Sequence, residues 1–271
     1  MLRKALLFAA GLLVIAGCDS SEFDPFQESD LGYSVFGYLD VSADTQFVRV
    51  SPIRQALEQS PEPLSVEVRL EDLDRGESAT MRDSVFNLPS LDGTRFVHNF
   101  WTDESIRPST RYRLTLTGPD GARSVSEVVT PDSVPQPFVL FNPTFQIAQI
   151  EIDTDDRIAD LRIQYTFARP ARGDTLVLDR SYVEDLQEGR QRWFVRVPLI
   201  TDIRDFQNLN GRALDLVRIE AFVAIAGPSW PDFAVIDDET FALPRAISNV
   251  DAGVGFFGAV VTKRFTLVGS R

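Results

Sequence analysis

Few residues in this chain have side chains suited to chemistry. His98 is the only histidine and Cys18 is the only cysteine. A histidine-based triad needs a nucleophile and an acid around the ring. Phe96 to Trp101 reads as a strand, so we interpret His98 as a packed or exposed strand residue. Metal sites built from histidine and cysteine clusters are excluded by count. The sequence therefore predicts no catalytic residue, no cofactor and no metal.

Carboxylates are abundant and leave two alternatives open. Asp153 to Asp156 and Asp237 to Glu239 offer oxygen ligands of the kind that Ca²⁺ prefers. Neither run has the spacing or the glycine of an EF-hand loop, so solvated acidic turns are the favoured interpretation. Paired carboxylates for glycoside hydrolysis depend on separation in space. A surface glycan hydrolase that uses acidic residues of the second half therefore stays open as an alternative.

An aromatic loop is the candidate for binding. Gly227 to Phe233 contains a glycine and two prolines, which end ladder pairing and predict a loop after a long apolar strand. Trp230 and Phe233 are costly to expose there, and tryptophan is enriched among binding hot spots. We predict that these two residues bind a partner. The alternative is that Trp230 folds back and caps the core of the second half.

The charge balance narrows the range of partners. The chain has 40 acidic and 27 basic residues, for a formal net charge of −13. An acidic surface argues against nucleic acid as a partner and against simple adsorption to anionic lipid headgroups.

The N-terminus has the pattern of an export signal. Arg3 and Lys4 precede an apolar run from Ala5 to Ala16, which is too short to span a bilayer. The order Ile15-Ala16-Gly17-Cys18 resembles the lipobox of bacterial lipoproteins. That resemblance implies that residues 1–17 are a cleaved signal peptide and that Cys18 is acylated. Two or more acyl chains anchor a protein stably, so we expect it to be held on the outer membrane, at the periplasmic face or the cell surface.

The rest of the chain reads as all-β. Residues 18–31 are acidic and predict a flexible tether. Alternating apolar residues, as in Tyr33–Asp40 and Leu161–Phe167, predict strands with one buried face. We expect one β-sandwich over residues 32–131, a proline-rich linker over 132–137, and a second β-rich sandwich over 138–271.

Two local features belong to that second half. One short helix is predicted there, with Thr201 or Asp202 as its N-cap and Asn210-Gly211 as its stop. The chain is expected to close with a strand broken by glycines over Gly253–Gly258, followed by a regular strand.

A second resemblance covers roughly residues 95 to 131. Ile106, Pro108, Thr110, Tyr112 and the alternating Leu114 and Leu116 resemble the tyrosine corner of fibronectin type III domains. The resemblance implies an immunoglobulin-like sandwich in which the Tyr112 hydroxyl hydrogen-bonds back to the preceding loop.

The C-terminal motif suggests a location and a neighbour. Ser248-Asn249-Val250 and Gly253 to Gly258 resemble the end of an uncharacterised Bacteroidota lipoprotein family, a domain of unknown function whose members also have an early strand like Val35–Leu39. Genes for that family often lie beside TonB-dependent receptors. The resemblance implies a non-catalytic binding or accessory module for such a transporter or another envelope protein. A structural or adhesive module is a further alternative.

Overall fold

The computed structural model describes most of the chain after its N-terminal segment. Its described residues are 31–53, 61–90, 93–142, 147–169, 173–210, 214–231 and 247–269. Leu31–Arg271 form one compact unit. Outside the described residues lie the predicted signal peptide, Cys18, all of the predicted tether (residues 18–31) except Leu31, and Phe233.

Strands dominate the described residues, which confirms the predicted all-β fold. The sixteen strands are β1 Tyr33–Asp40, β2 Gln46–Pro52, β3 Glu67–Asp72, β4 Glu77–Thr80, β5 Arg82–Ser90, β6 Gly93–Thr102, β7 Arg111–Thr117, β8 Arg123–Val129, β9 Phe138–Asn142, β10 Ile147–Ile152, β11 Ile158–Arg169, β12 Asp174–Ser181, β13 Gln187–Gly189, β14 Arg192–Val197, β15 Asp215–Ala226 and β16 Gly253–Gly269. Among the described residues, one α-helix, α1, covers Leu199–Asn210, and a short 3-10 helix covers Val183–Asp185.

The strands form three sheets. The largest has eight strands in the order β12-β11-β15-β16-β1-β2-β6-β5. Two smaller sheets have the orders β4-β3-β7-β8 and β13-β14-β10-β9.

The first hydrophobic core lies between β1-β2-β6-β5 and β4-β3-β7-β8. It contains fully buried residues of both sheets, including Val35, Leu39 and Leu114. Immunoglobulin-like sandwiches place strands A, B, E and D in one sheet and C, F and G in the other. β1, β2, β6 and β5 have the first order, and β3, β7 and β8 have the second with β4 added at its edge.

The tyrosine corner is present. Tyr112 is buried at the start of β7, and its hydroxyl accepts a hydrogen bond of 3.0 Å from the backbone N–H of Arg107. This contact confirms the hydrogen bond that the resemblance to a tyrosine corner implies for Tyr112.

The second core lies between β16-β15-β11-β12 and β13-β14-β10-β9. Ile150, Leu161, Ile163 and Val223 are among its fully buried residues, and α1 packs against it through Ile203 and Phe206. β15 lies between β11 and β16, as its apolar residues on both faces predict. Residues 132–137 form no strand, as their prolines predict.

β16 joins the two halves. Its first residues pair in parallel with the whole of β1, from Tyr33 opposite Gly253 to Asp40 opposite Val260. Its later residues pair antiparallel with β15. Phe257 and Ala259 therefore lie in the first core, whereas Val261 and Phe265 lie in the second.

Two local expectations are wrong. The strand predicted to break at the glycines of 253–258 is one continuous strand of 17 residues, because β1 approaches this segment closely along its length. The predicted N-cap of α1 is also wrong, because the helix begins at Leu199 and Asp202 lies inside its first turn. The predicted stop at Asn210 is confirmed.

Candidate binding surface

An aromatic surface lies on the outer face of the eight-stranded sheet. Side chains alternate between the two faces of a strand. Val35 and Leu39 of β1 enter the first core, so Phe36 and Tyr38 point away from it. The same alternation places Phe47 of β2 and Trp101 of β6 on this outer face.

The rings form a row across neighbouring strands. Tyr38 lies opposite Phe47, and Phe47 lies opposite Trp101. Trp101 pairs in turn with Arg82 of β5, whose guanidinium carbon lies 4.8 Å from the centre of the indole ring. Strands are about 4.8 Å apart in a sheet, so these side chains form a continuous strip perpendicular to the strands.

Trp230 extends this row at the β16 end. Its ring meets Tyr38 edge-on at 6.1 Å between centroids and Phe256 edge-on at 5.2 Å. It also covers Gly258, where an added Cβ would lie 2.5 Å from the Phe256 ring and 3.0 Å from the indole. A side chain at position 258 would therefore push the two rings off the sheet.

The described part of the loop that holds Trp230, residues 227–231, forms no strand, as predicted. β15 ends at Ala226, and the backbone N–H of Trp230 donates to the carbonyl of Gly227 at 3.0 Å. Trp230 is half-buried, but it lies in neither core. Its ring contacts with Tyr38 and Phe256 place it on the outer face of the eight-stranded sheet.

We call Phe36, Tyr38, Phe47, Trp101, Trp230 and Phe256 the aromatic face. Phe36, Tyr38 and Phe47 are 50%, 49% and 49% exposed. Arg49 and Asn99 lie beside the row, opposite each other on β2 and β6, with the guanidinium Nε 3.5 Å from the amide oxygen. The face thus offers flat apolar rings together with hydrogen-bond donors and positive charge.

Sequence reasoning identified only Trp230 among these residues. The signal for the others was in β1, where the positions that alternate with Val35 and Leu39 carry Phe36 and Tyr38. A strand with one solvated face normally carries polar residues at those positions, so two aromatics there indicate a second apolar surface.

His98 has a structural role, because it is buried and contacts a carboxyl group on the neighbouring strand. His98 is buried, and its Nδ1 lies 3.0 Å from Oδ2 of Asp83. The same carboxyl oxygen accepts the backbone N–H of Leu64 at 3.0 Å. The pair thus ties the segment before β3 to the inner side of β5 and β6.

A charged cleft of about 480 Å³ lies beside the tyrosine corner, lined by residues that include Asp72, Arg107 and Tyr112. Both Nε and Nη2 of Arg107 donate to Oδ2 of Asp72, at 3.0 and 2.6 Å. Burial alone would raise the pKa of Asp72, but hydrogen bonds from Arg107 and from the backbone of Arg75 and Asp74 hold it below its usual value. A carboxyl group held in this way is poorly suited to act as a general acid.

The first acidic run consists of turn residues. Asp153 pairs with Arg192 at 3.3 Å, and the backbone N–H of Asp156 donates to Thr154 Oγ1 at 3.1 Å. Burial, and then the charges of Asp155 and Asp132, raise the pKa of Asp156. Within the described ranges, no group of three or more His, Cys, Asp or Glu side chains could hold a metal ion. Asp237 to Glu239 lie outside them.

No helix in the described part of the chain is long and apolar enough to cross a membrane. A scan against protein-family models gave no match, and a search of curated proteins gave no similar sequence.

Proposed function

We propose that the chain is a lipid-anchored module of the outer envelope that binds a partner protein through its aromatic face and carries out no reaction. The exposed rings of Phe36, Tyr38 and Phe47 are the observation that supports this function most directly. Contiguous exposed apolar surface on a soluble protein usually marks an interaction site.

The composition of the aromatic face favours a protein partner. Tyrosine, tryptophan and arginine are the residues most enriched among binding hot spots, and Tyr38, Trp101, Trp230, Arg49 and Arg82 all lie on or beside this face. Burying ring surface removes apolar area from water, which favours association. The two arginines present positive charge on a chain with net charge −13, so the partner surface is expected to combine apolar and acidic groups.

The partner is proposed to be an envelope transporter. The lipobox-like sequence at Cys18 and the C-terminal motif, which resembles that of lipoproteins found beside TonB-dependent receptors, support this choice. The buried His98–Asp83 pair and the occupied carboxyl group of Asp72 support a non-catalytic role. The strand order of the first half supports its proposed identity as an immunoglobulin-like domain.

The first test concerns the anchor. Cys18→Ser removes the thiol that would be acylated, so we expect the full chain to accumulate as unprocessed precursor without lipid. Metabolic labelling with a palmitate analogue, followed by a gel that resolves precursor from mature protein, measures both effects. Label in the variant equal to that in the wild type would contradict the anchor.

The second test concerns the aromatic face. Tyr38→Ala removes a ring from the middle of the aromatic face, and Trp230→Ala removes the ring at its end. We expect each variant to weaken capture of the partner by tenfold or more, which corresponds to about 1.4 kcal/mol. Capture is measured by purifying the tagged full chain from detergent-solubilised envelope and quantifying co-purified proteins by mass spectrometry.

Val177→Ala is the matched control for that experiment. Val177 is half-exposed on β12, at the opposite end of the same sheet, and its variant should capture as much partner as the wild type. Thermal unfolding of each variant shows whether the fold is kept. Wild-type capture by both aromatic-face variants would exclude this surface as the binding site.

A further inference from the structure

Arg49 lies among the rings of the aromatic face. It projects outward from β2, the middle strand of the five from β5 to β16, because Val48 and Val50 on either side of it enter the first core. Phe36 of β1 and Asn99 of β6 lie opposite it. We propose that Arg49 selects the partner of this face by requiring an aspartate or glutamate side chain opposite its guanidinium group. This inference rests on the proposed function, because it concerns the same surface.

No carboxylate lies next to Arg49 on the described strands. The outward positions around it on β1, β2 and β6 are all uncharged: Ser34, Phe36, Tyr38, Phe47, Ser51, Val97, Asn99 and Trp101. The Nε–H of Arg49 donates to Oδ1 of Asn99 at 3.5 Å, and this is its only hydrogen bond or ion pair within the described ranges. The other N–H donors of the guanidinium group are therefore available to a partner.

A partner that covers the exposed rings also covers Arg49. Phe36 lies directly opposite it on β1, and Phe47 lies two residues away on the same face of β2. Water is excluded from the centre of such contacts, so the guanidinium group would lose its solvation. A buried charge without an opposite charge is strongly destabilising. A partner that offers only apolar surface to this face is therefore rejected.

A carboxylate is the group of a protein partner that fits this position. The guanidinium group is planar, and it can donate two parallel hydrogen bonds to the two oxygens of one carboxylate. The bond to Asn99 engages Nε and leaves Nη1 and Nη2 free for such a pair within the described part of the chain.

Arg82 differs from Arg49 in its position. It is the first residue of the edge strand β5 and lies against the ring of Trp101, at the rim of the face. A charge at the rim of an interface mainly affects the rate of association and its dependence on salt. Arg49, which would be buried in the complex, is therefore the residue that decides which partner binds.

Removing the charge is the first test. Capture of the partner by the tagged full chain from detergent-solubilised envelope should fall by about thirtyfold or more for Arg49→Gln, because truncating one member of a buried charge pair weakens a complex by that order. Arg123→Gln is the matched control, since Arg123 is exposed on β8 of a smaller sheet, and it should capture as much partner as the wild type. Thermal unfolding of both variants shows whether the fold is kept.

The outcomes separate this inference from the proposed function. Wild-type capture by Arg49→Gln, together with weakened capture by Tyr38→Ala and Trp230→Ala, would overturn the inference and leave the proposed function in place. Wild-type capture by the two ring variants would overturn both.

A zero-length cross-link identifies the group opposite position 49. The chain has only two lysines, Lys4 and Lys263, so an amine introduced by Arg49→Lys adds one distinct site for a water-soluble carbodiimide, which joins an amine to a carboxylate in direct contact. Peptide mapping by mass spectrometry should find an amide bond between position 49 and an aspartate or glutamate of the captured protein. Arg123→Lys is the control and should form no such bond. An Arg49→Lys chain that captures protein without this bond, or that is linked only to a lipid or a glycan, would overturn the inference.

Discussion

Asp202 holds the helix to the second sandwich. Its carboxyl oxygen Oδ2 accepts hydrogen bonds from the hydroxyl of Tyr165, at 2.5 Å, and from that of Tyr182. All three residues are buried. The sequence predicted a capping role for Asp202 because aspartate is common at helix N-termini. The polar partners that decide its position lie on β11 and beside the 3-10 helix, at separations that local spacing does not reveal.

Replacing this carboxyl group should destabilise the fold. Asp202→Asn keeps the size of the side chain but removes its charge, so the two buried tyrosine hydroxyls no longer donate to a charged acceptor. Hydrogen bonds to charged groups contribute about 1.5–3 kcal/mol, and we expect a loss of that order in urea unfolding. Asp205→Asn, on the exposed side of the same helix, should change stability by less than about 0.5 kcal/mol. Equal stabilities for the two variants would contradict the role of Asp202.

The cluster of Asp202, Tyr165 and Tyr182 should also make the stability of the fold depend on pH. Burial, and then the hydrogen bonds to Asp202, raise the pKa of Tyr165 and of Tyr182. Unfolded tyrosines lose their protons near pH 10, where the folded chain still holds these two. The unfolded state then binds fewer protons, so these two tyrosines should make the free energy of unfolding fall as the pH rises above about 10, and they should contribute no pH dependence well below it. Tyr165→Phe should reduce that slope.

The hydrogen bonds of Asn249 give the C-terminal motif Ser248-Asn249-Val250 a structural role that the sequence alone did not reveal. Its side-chain oxygen accepts the backbone N–H of Phe257 at 2.9 Å, and its amide donates to the carbonyl of Phe257 at 2.6 Å. Its own carbonyl accepts the Ser126 hydroxyl of β8 at 2.8 Å. The motif that resembles the end of a lipoprotein family therefore has a structural role here, because it connects β16 to the first sandwich.

At the scale of elements, period-two alternation predicted most strands of both sandwiches. The sequence Gly118-Pro119-Asp120-Gly121 predicts the hairpin between β7 and β8. Its turn closes through a hydrogen bond of 3.0 Å from the N–H of Gly121 to the carbonyl of Gly118. β4, β9 and β13 were not predicted. β9 reads as a continuous apolar run, and no alternation distinguishes it from a loop beside prolines.

The glycines of β16 show why local composition was misleading. Glycine in a strand often marks a break or a close approach, and the sequence could not decide between them. Gly255 has a φ of +108°, and an added Cβ would lie 2.1 Å from the carbonyl oxygen of Val35. The glycine is needed because β1 comes this close, and the strand continues through it.

The aromatic face was only partly predictable for a related reason. Trp230 was identified because it lies in a loop with unusual composition. Phe36, Phe47 and Trp101 come from three strands, and only the pairing of those strands brings them together. A single sequence predicts which residues face outward, but it does not predict which strands lie side by side.

At the scale of the whole molecule, the two cores share one strand. β16 contributes Phe257 and Ala259 to the first core and Val261 and Phe265 to the second. Unfolding the first sandwich therefore exposes one half of β16 and removes the β1 ladder that holds it. We infer that the two cores unfold together, although their strands come mainly from different halves of the sequence.

Tryptophan fluorescence can test this coupling, because Trp101 lies in the first half and Trp193 in the second. Two variants each keep one of these tryptophans, with the other two replaced by phenylalanine. Leu39→Ala, which opens a cavity in the first core, should cost about 2–5 kcal/mol and lower the urea midpoint seen by both reporters equally. Leu88→Ala, at an exposed position on β5, should leave both midpoints in place. A shift seen by Trp101 alone would mean that β16 does not couple the cores and that each sandwich unfolds independently.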